Sequence, residues 1–146
     1  MSIQEQINQD LKNAMRAQDK PTLGTLRLIT AAIKQIEVDE RIQVDEARLL
    51  VILDKMVKQR KESIQQFQAA NRDDLVTQEQ LELDIIQKYL PPPLSDTEIA
   101  ALIDDALRAT QAEKMSDMGK VMAHLKPQMQ GRADMSKISA LIKERL

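Results

Sequence analysis

The sequence predicts an all-α protein made of a helical N-terminal domain and a small three-helix C-terminal tail domain. Apolar side chains recur with the three- and four-residue spacing of an amphipathic helix, and no long stretch alternates with the period of two that a strand would show. Three consecutive prolines, Pro91 to Pro93, then interrupt the pattern, because proline lacks the N–H that a helix interior needs. We therefore predict domains at residues 1–93 and 94–146.

Four helices are predicted in the N-terminal domain. Ser2 opens a capping box before the first helix, and Pro21 suits the first turn of the second, where its missing N–H would be unpaired anyway. Asp45 is the expected cap of a long third helix, and either Asp74 or Thr77 is the expected cap of the fourth. The first three helices are expected to end near Asp19, near Glu37 and near Asn71.

Three short helices are predicted in the tail domain. Ser95 and Glu98 form a capping box before the first, and the second is expected to end just before Pro127. Gly131 and Asp134 then turn the chain into the last helix. The tail has about 50 residues, which is near the lower size limit for independent folding.

The composition excludes several classes of function. The chain contains no cysteine and only one histidine, His124, so it cannot build a disulfide, a thiolate metal site, a histidine cluster or a catalytic triad. We therefore expect no catalytic residue, no metal site and no cofactor. No apolar run approaches the roughly 18 residues that span a bilayer, and the start does not resemble a signal peptide. These features predict a cytoplasmic protein without a membrane partner.

An excess of basic side chains lies at the C-terminal end of the chain. The formal net charge is −2, but residues 114–146 carry seven basic side chains against Asp117, Asp134 and Glu144. A phosphate-bearing partner would therefore be held by a local surface of the tail. Residues 55–61 form a second basic segment, which we interpret as a solvated helix face with a phosphate-facing strip as the alternative.

Residues 117–122 and 131–134 are the most informative segments. A glycine such as Gly119 in the first turn of a helix gives up about 1 kcal/mol relative to alanine, which indicates close approach by a packed helix or by a phosphate. A triphosphate loop is excluded, because Lys114 and Val121 stand where glycine and Ser or Thr belong. Free N–H groups near Lys120 and Arg132 could bind a phosphate backbone without reading bases.

With these segments the chain resembles the YqeY-like family, which is related to the tail of GatB, the B subunit of tRNA-dependent amidotransferase. The resemblance covers essentially the whole chain, and its segments are specific only in combination. They are Leu26-Arg27-Leu28 with Ala31-Ala32-Ile33-Lys34, Lys58-Gln59-Arg60-Lys61-Glu62-Ser63, Arg72-Asp73-Asp74-Leu75, Tyr89-Leu90-Pro91, Asp117-Met118-Gly119-Lys120-Val121-Met122 and Gly131-Arg132-Ala133-Asp134.

This resemblance implies a helical domain followed by a three-helix tail, and a tail that contacts the body of tRNA. YqeY-like modules also occur joined to a glutaminyl-tRNA synthetase, so a synthetase or an amidotransferase complex is a further implied partner. The family label is carbon–nitrogen ligase with glutamine as amido-N-donor. The amidotransferase active site lies in a GatB domain upstream of the tail, which this chain does not resemble, so we expect no catalysis by the chain alone.

Two functional hypotheses follow. The first is a tRNA-binding accessory module of translation. The second is a protein-interaction adaptor that docks on an aminoacylation or amidation complex through apolar or methionine-bearing helix faces. Amide transfer by the chain alone is the weakest alternative, because the chain has no cysteine, histidine cluster or phosphate loop. The residues predicted to contact tRNA are Gly119, Lys120, Lys126, Gly131, Arg132, Lys137 and Lys143.

Overall fold

The computed structural model describes all residues, 1–146, and consists of helices joined by turns. It contains seven α-helices, one short 3-10 helix and no strand, which confirms the all-α prediction. The α-helices are α1 Ile3–Ala17, α2 Lys20–Glu40, α3 Glu46–Ala69, α4 Asp73–Gln87, α5 Asp96–Thr110, α6 Met118–Met129 and α7 Met135–Arg145, and the 3-10 turn spans Met115–Asp117.

Two compact units make up the chain, Met1–Leu90 and Pro91–Leu146. The first unit contains α1 to α4, and the second contains α5 to α7. The division lies at the start of the proline segment, whereas the predicted boundary follows residue 93. That the two units fold independently of one another stays a prediction.

Local hydrogen bonds start several helices where the sequence predicts. The Ser2 hydroxyl accepts the backbone N–H of Glu5 at 3.1 Å, and the Glu5 carboxylate accepts the N–H of Ser2 at 3.2 Å. Ser95 and Glu98 form the same reciprocal pair before α5. Asp45 caps α3 by accepting a backbone N–H at 2.8 Å. These side chains satisfy N–H groups that the start of a helix leaves without partners.

The predicted start of α4 is wrong. This helix begins at Asp73, and its cap residue Arg72 makes no side-chain cap hydrogen bond. Asp74 does not cap the helix, because its two carboxylate oxygens accept hydrogen bonds from the Arg72 guanidinium at 3.2 and 3.1 Å. Thr77 lies within the helix and donates its hydroxyl hydrogen to the carbonyl of Asp73.

Two helices run further than predicted. α2 continues to Glu40 and ends where Arg41 adopts the left-handed conformation at φ 54°. α6 includes Pro127 and continues to Met129. Proline removes the donor that the carbonyl of Ala123 would use, but both residues are exposed, so water can replace that donor. Met129 is 0 % exposed, and its burial stabilises the last turn of the helix.

The N-terminal unit is built around one apolar cluster to which all four of its helices contribute. Arg60 on α3 and Glu82 on α4 form an ion pair at 3.4 Å with little solvent exposure. The buried Thr25 satisfies its hydroxyl by donating to the carbonyl of Pro21 at 3.0 Å. The largest fully buried side chains of this unit are Ile7, Leu26, Ile29, Leu49, Leu53 and Ile86.

The tail unit has a separate apolar cluster formed by one stripe from each of its three helices. Helices this short are marginal alone, so their stability comes from packing these stripes together. Met118 and Met122 are only partly buried at its edge, whereas Met129 lies fully inside. The fully buried members with 0 % exposure are Ala106, Val121, Leu125, Met129, Ile138 and Ile142.

Candidate nucleic-acid interface

The residues predicted to contact tRNA lie on α6, on α7 and in the turn between these helices. The four lysines are all exposed, two on each helix. Gly131 and Arg132 occupy the turn and are less accessible than the lysines. The structure therefore exposes the four lysines, whereas Gly131 is buried and Arg132 is partly buried.

On α6 the two lysines flank a strip of small side chains. Gly119, Ala123 and Pro127 are four residues apart, so they follow one line along the exposed side of the helix. Lys120 and Lys126 lie on opposite sides of that line, about 120° apart around the helix axis. A Cβ added to Gly119 would meet no atom within 4 Å, so no helix of this chain packs against the glycine. Packing against a helix of this chain therefore does not explain Gly119.

The same pattern is repeated in α7. Residues 119–126 read GKVMAHLK, and residues 136–143 read SKISALIK. In both segments the two lysines are exposed, the first and fifth positions are small, and the third and seventh positions are 0 % exposed in the core. The apolar periodicity of the sequence does not indicate this repeat, because its signal is the spacing of the lysines relative to a central alanine.

Carboxylates occupy the starts of both helices. Asp117 accepts the backbone N–H groups of Glu113 at 3.0 Å and Lys114 at 3.1 Å, and these hydrogen bonds hold the pKa of Asp117 below its usual range. Lys120 Nζ lies 3.9 Å from the Asp117 carboxylate. At α7, Asp134 accepts the N–H of Ser136 at 3.0 Å. A phosphate would meet negative charge at either helix start, so the lysine side chains are the better candidates for holding it.

Arg132 connects the turn between α6 and α7 to the proline segment through two hydrogen bonds. Its Nε donates to the carbonyl of Pro92 at 3.1 Å, and its own carbonyl accepts the N–H of Leu94 at 2.9 Å. Gly131 is buried and has φ 79°, a conformation that strains residues with a Cβ. Both predicted contact residues therefore have structural roles within the tail.

Replacing Arg132 by alanine is expected to destabilise the tail unit by about 1 kcal/mol, because the exposed Pro92 carbonyl loses a charged donor that water replaces only in part. The measurement is the free energy of unfolding from urea titrations. Lys143→Ala is the matched control, since it removes the same charge from an exposed site and should change stability by less than about 0.5 kcal/mol. Equal stability of the two variants would contradict the structural role of Arg132.

Two further features concern the chain as a whole, groups of metal-ligating side chains and membrane-spanning helices. No three histidine or carboxylate side chains come close enough to hold a metal ion. The single histidine, His124, is exposed on α6. No helix combines the length and the apolar character needed to cross a membrane.

Comparison with known proteins finds relatives that share the same name. A protein from Pyrenophora tritici-repentis called "Altered inheritance of mitochondria protein 41, mitochondrial" is 36 % identical over 141 residues, covering 94 % of this chain and 77 % of the relative. Its namesake from Eremothecium gossypii is 45 % identical over 101 residues, covering 67 % and 55 %. The Saccharomyces cerevisiae YJM789 protein of that name is 37 % identical over 123 residues, covering 80 % and 66 %.

These names contradict the predicted cytoplasmic location, because the relatives are named as mitochondrial proteins. The prediction rested on the lack of a signal peptide and of a long apolar run. Those features separate secreted and membrane proteins from others, but they do not distinguish the cytoplasm from an organelle.

The match to a family model supplies the identification. The family described as Yqey-like protein matches residues 4–146, which agrees with the resemblance found in the sequence segments. The match covers both compact units and includes all of the candidate lysines. The chain therefore belongs to the YqeY-like family.

Proposed function

We propose that this protein is an RNA-binding accessory module that holds the body of tRNA through phosphate contacts made by α6 and α7. The observation that carries the proposal is the repeated lysine pair across a strip of small side chains. Lys126, Lys137 and Lys143 form no ion pair within the chain, and Lys120 has only a long contact with Asp117. These lysines are thus available for an anionic partner.

The proposed contacts are independent of base sequence. Lysine is a flexible point charge that suits phosphate oxygens, and the members of each pair are about 9 Å apart along the helix. The chain offers little for base stacking, because Tyr89 is buried and Phe67 is partly buried. Folded RNA can be recognised by its shape and its phosphates, whereas single-strand readers rely on exposed aromatic side chains. The family resemblance to the GatB tail supports tRNA as the RNA.

The adaptor hypothesis has less support from the surface. Exposed large apolar side chains occur singly on different elements, for example Met15 on α1, Leu28 on α2 and Met115 in the 3-10 turn. Single exposed apolar residues are normal, whereas a docking site needs a contiguous patch. We include no catalytic step in the proposal, because His124 has no carboxylate as a hydrogen-bond partner.

The test is a titration of tRNA with the full chain over a range of salt concentrations. If four phosphates are contacted, the log–log slope of affinity against salt is expected to be about −3 to −4. Replacing the four lysines by alanine should flatten this slope by about three units and weaken binding at low salt at least about tenfold. The substitutions are Lys120→Ala, Lys126→Ala, Lys137→Ala and Lys143→Ala.

A control with the same change in net charge separates local contact from general attraction. It replaces four exposed lysines of the N-terminal unit by alanine, namely Lys12, Lys55, Lys61 and Lys88. We expect this control to keep most of the affinity and of the salt slope. An equal loss in both variants, or no tRNA affinity at low salt, would reject the proposed site. If the protein has no tRNA affinity at low salt, the adaptor hypothesis becomes the better explanation.

A further inference from the structure

A second basic surface lies on α2, in the N-terminal unit. Lys20, Arg27, Lys34 and Arg41 follow one another at intervals of seven residues. Seven residues are nearly two helical turns, so the three members within α2, Lys20, Arg27 and Lys34, shift by only about 20° each around the axis, and Arg41 is the C-cap residue that follows the helix. Successive members are about 10 Å apart, and the four together span about 30 Å. All four are exposed, and we call them the α2 stripe.

No member of the α2 stripe forms an ion pair that would hold its side chain against the protein. Five arginines elsewhere do form ion pairs. Three carboxylates lie near its C-terminal half. Glu40 pairs with Arg48, whereas Glu37 and Asp39 accept hydrogen bonds from the neutral donors Val44 N–H at 3.0 Å and Gln35 Nε2 at 2.8 Å and so keep their negative charge. The unpaired state therefore distinguishes Arg27 and Arg41 from most of the other arginines.

Small residues lie next to the α2 stripe. Gly24 and Ala31 are each three or four residues from two of its members, so they share the same face of the helix. Gly24 is exposed, and a Cβ added there would meet no atom within 4 Å. A glycine inside a helix costs about 1 kcal/mol relative to alanine, and nothing in this fold requires it. Its presence indicates close approach by a partner.

We propose that the α2 stripe binds the phosphate backbone of double-helical RNA. A row of like charges at regular intervals over about 30 Å matches a polymer with regularly spaced negative charge better than a small anion. A second copy of this chain would bring the same positive surface against the α2 stripe, so self-association through this face is opposed by charge.

A protein partner fits the same face less well. Protein interfaces depend on large buried side chains, with aromatic residues and arginine prominent among the anchors. Here the middle of the face is formed by Gly24 and Ala31, and the large apolar side chains are only Leu28, 44 % exposed, and Val38, 64 % exposed. The face has an extended row of charge without an apolar centre, which is typical of backbone contacts to nucleic acid.

This inference goes beyond the proposed function by assigning RNA contact to another helix, and its charge argument does not depend on α6 or α7. The test uses the full chain and a fully paired RNA duplex of arbitrary sequence. Arg27→Glu combined with Lys34→Glu is expected to lower affinity at low salt at least about tenfold. The log–log salt slope should flatten by about two units, because two phosphate contacts are lost.

Two further double variants serve as controls for charge reversal and for net charge. Arg27→Gln combined with Lys34→Gln removes the charges without reversing them, and it should give a smaller loss of affinity. Lys12→Glu combined with Lys88→Glu changes the net charge by the same amount at other exposed sites and should retain most of the affinity. Circular dichroism checks that each variant keeps its helix content.

The outcomes separate this inference from the proposed function. If the Arg27 and Lys34 variant binds the duplex as tightly as the Lys12 and Lys88 control, the inference is overturned. The same holds if polyglutamate displaces the RNA as effectively as unlabelled duplex at equal charge. If loss of the four tail lysines has no effect while the Arg27 and Lys34 variant loses binding, the proposed tail site fails and the α2 stripe stands.

Discussion

Replacing Leu125 by alanine is expected to unfold the C-terminal unit while the N-terminal unit stays folded. Leu125 is 0 % exposed and belongs to the apolar cluster shared by α5, α6 and α7. A buried leucine-to-alanine change costs about 2 to 5 kcal/mol, and a unit this small has about that much stability to lose. Residue-resolved amide hydrogen exchange should show lost protection in α5 to α7 and retained protection in α1 to α4.

The reciprocal variant is Leu53→Ala, which alters a 0 % exposed leucine in the cluster of the N-terminal unit. It should reduce protection in α1 to α4 and spare the tail. If either substitution removes protection from both units together, the units unfold cooperatively and the predicted two-domain organisation is wrong. Matching residue types and burial make the two variants directly comparable.

Local chemistry explains which parts of the fold could be predicted. The capping boxes at Ser2 and Ser95 depend on residues three positions apart, so the sequence alone specifies them. The start of α4 could not be predicted in this way, because both carboxylate oxygens of Asp74 accept hydrogen bonds from the Arg72 guanidinium and do not cap the helix. Pro127 is tolerated inside α6 because its side of the helix is exposed and Met129 is needed in the core. That balance depends on tertiary structure.

The candidate site was predictable to a different extent for each residue. Exposure of the four lysines follows from the helical spacing of the apolar residues between them. The bond from Arg132 to the Pro92 carbonyl joins residues far apart in sequence, so no local pattern could indicate it. The α2 stripe is visible as a seven-residue spacing of basic residues. The periodicity of the apolar residues does not indicate it, and only the structure shows that these charges form no ion pairs.

The three glycines of the chain connect the fold with the proposed surfaces. Gly131 has a positive φ and is required by the turn before α7. Gly24 and Gly119 are exposed within helices, have empty surroundings and lie beside unpaired or weakly paired basic side chains. Selection for stability alone would favour alanine at both positions. The proposed close approach by a phosphate backbone would account for both glycines with one explanation.

Replacing Tyr89 by phenylalanine is expected to destabilise the N-terminal unit by about 1.5 to 2 kcal/mol. Tyr89 follows α4, and its hydroxyl donates to the Asp10 carboxylate on α1 at 2.6 Å. Charged hydrogen bonds of this kind contribute about 1.5 to 3 kcal/mol, and the partial solvent access of Asp10 places this one in the lower part of the range. A double-mutant cycle with Asp10→Asn, measured by urea unfolding, gives the coupling energy, which would be near zero if the contact were unimportant.

The same contact predicts a dependence of stability on alkaline pH. Burial, followed by the hydrogen bond to Asp10 and its negative charge, raises the pKa of the Tyr89 phenol above its ordinary value of 10.0. The folded protein therefore keeps the proton at a pH where the unfolded chain loses it, so this stabilisation is complete below about pH 10 and declines as the pH rises further.

Absorbance of the phenolate reports Tyr89 alone, because the chain has one tyrosine and no tryptophan. We expect the native protein to titrate at higher pH than the protein in urea. The difference in unfolding free energy between wild type and Tyr89→Phe should shrink above pH 10, while ionisation of the lysines affects both proteins equally. Equal midpoints in the native and urea-unfolded states would show that the phenol is neither buried nor bonded in solution, and the link from α4 to α1 would then be wrong.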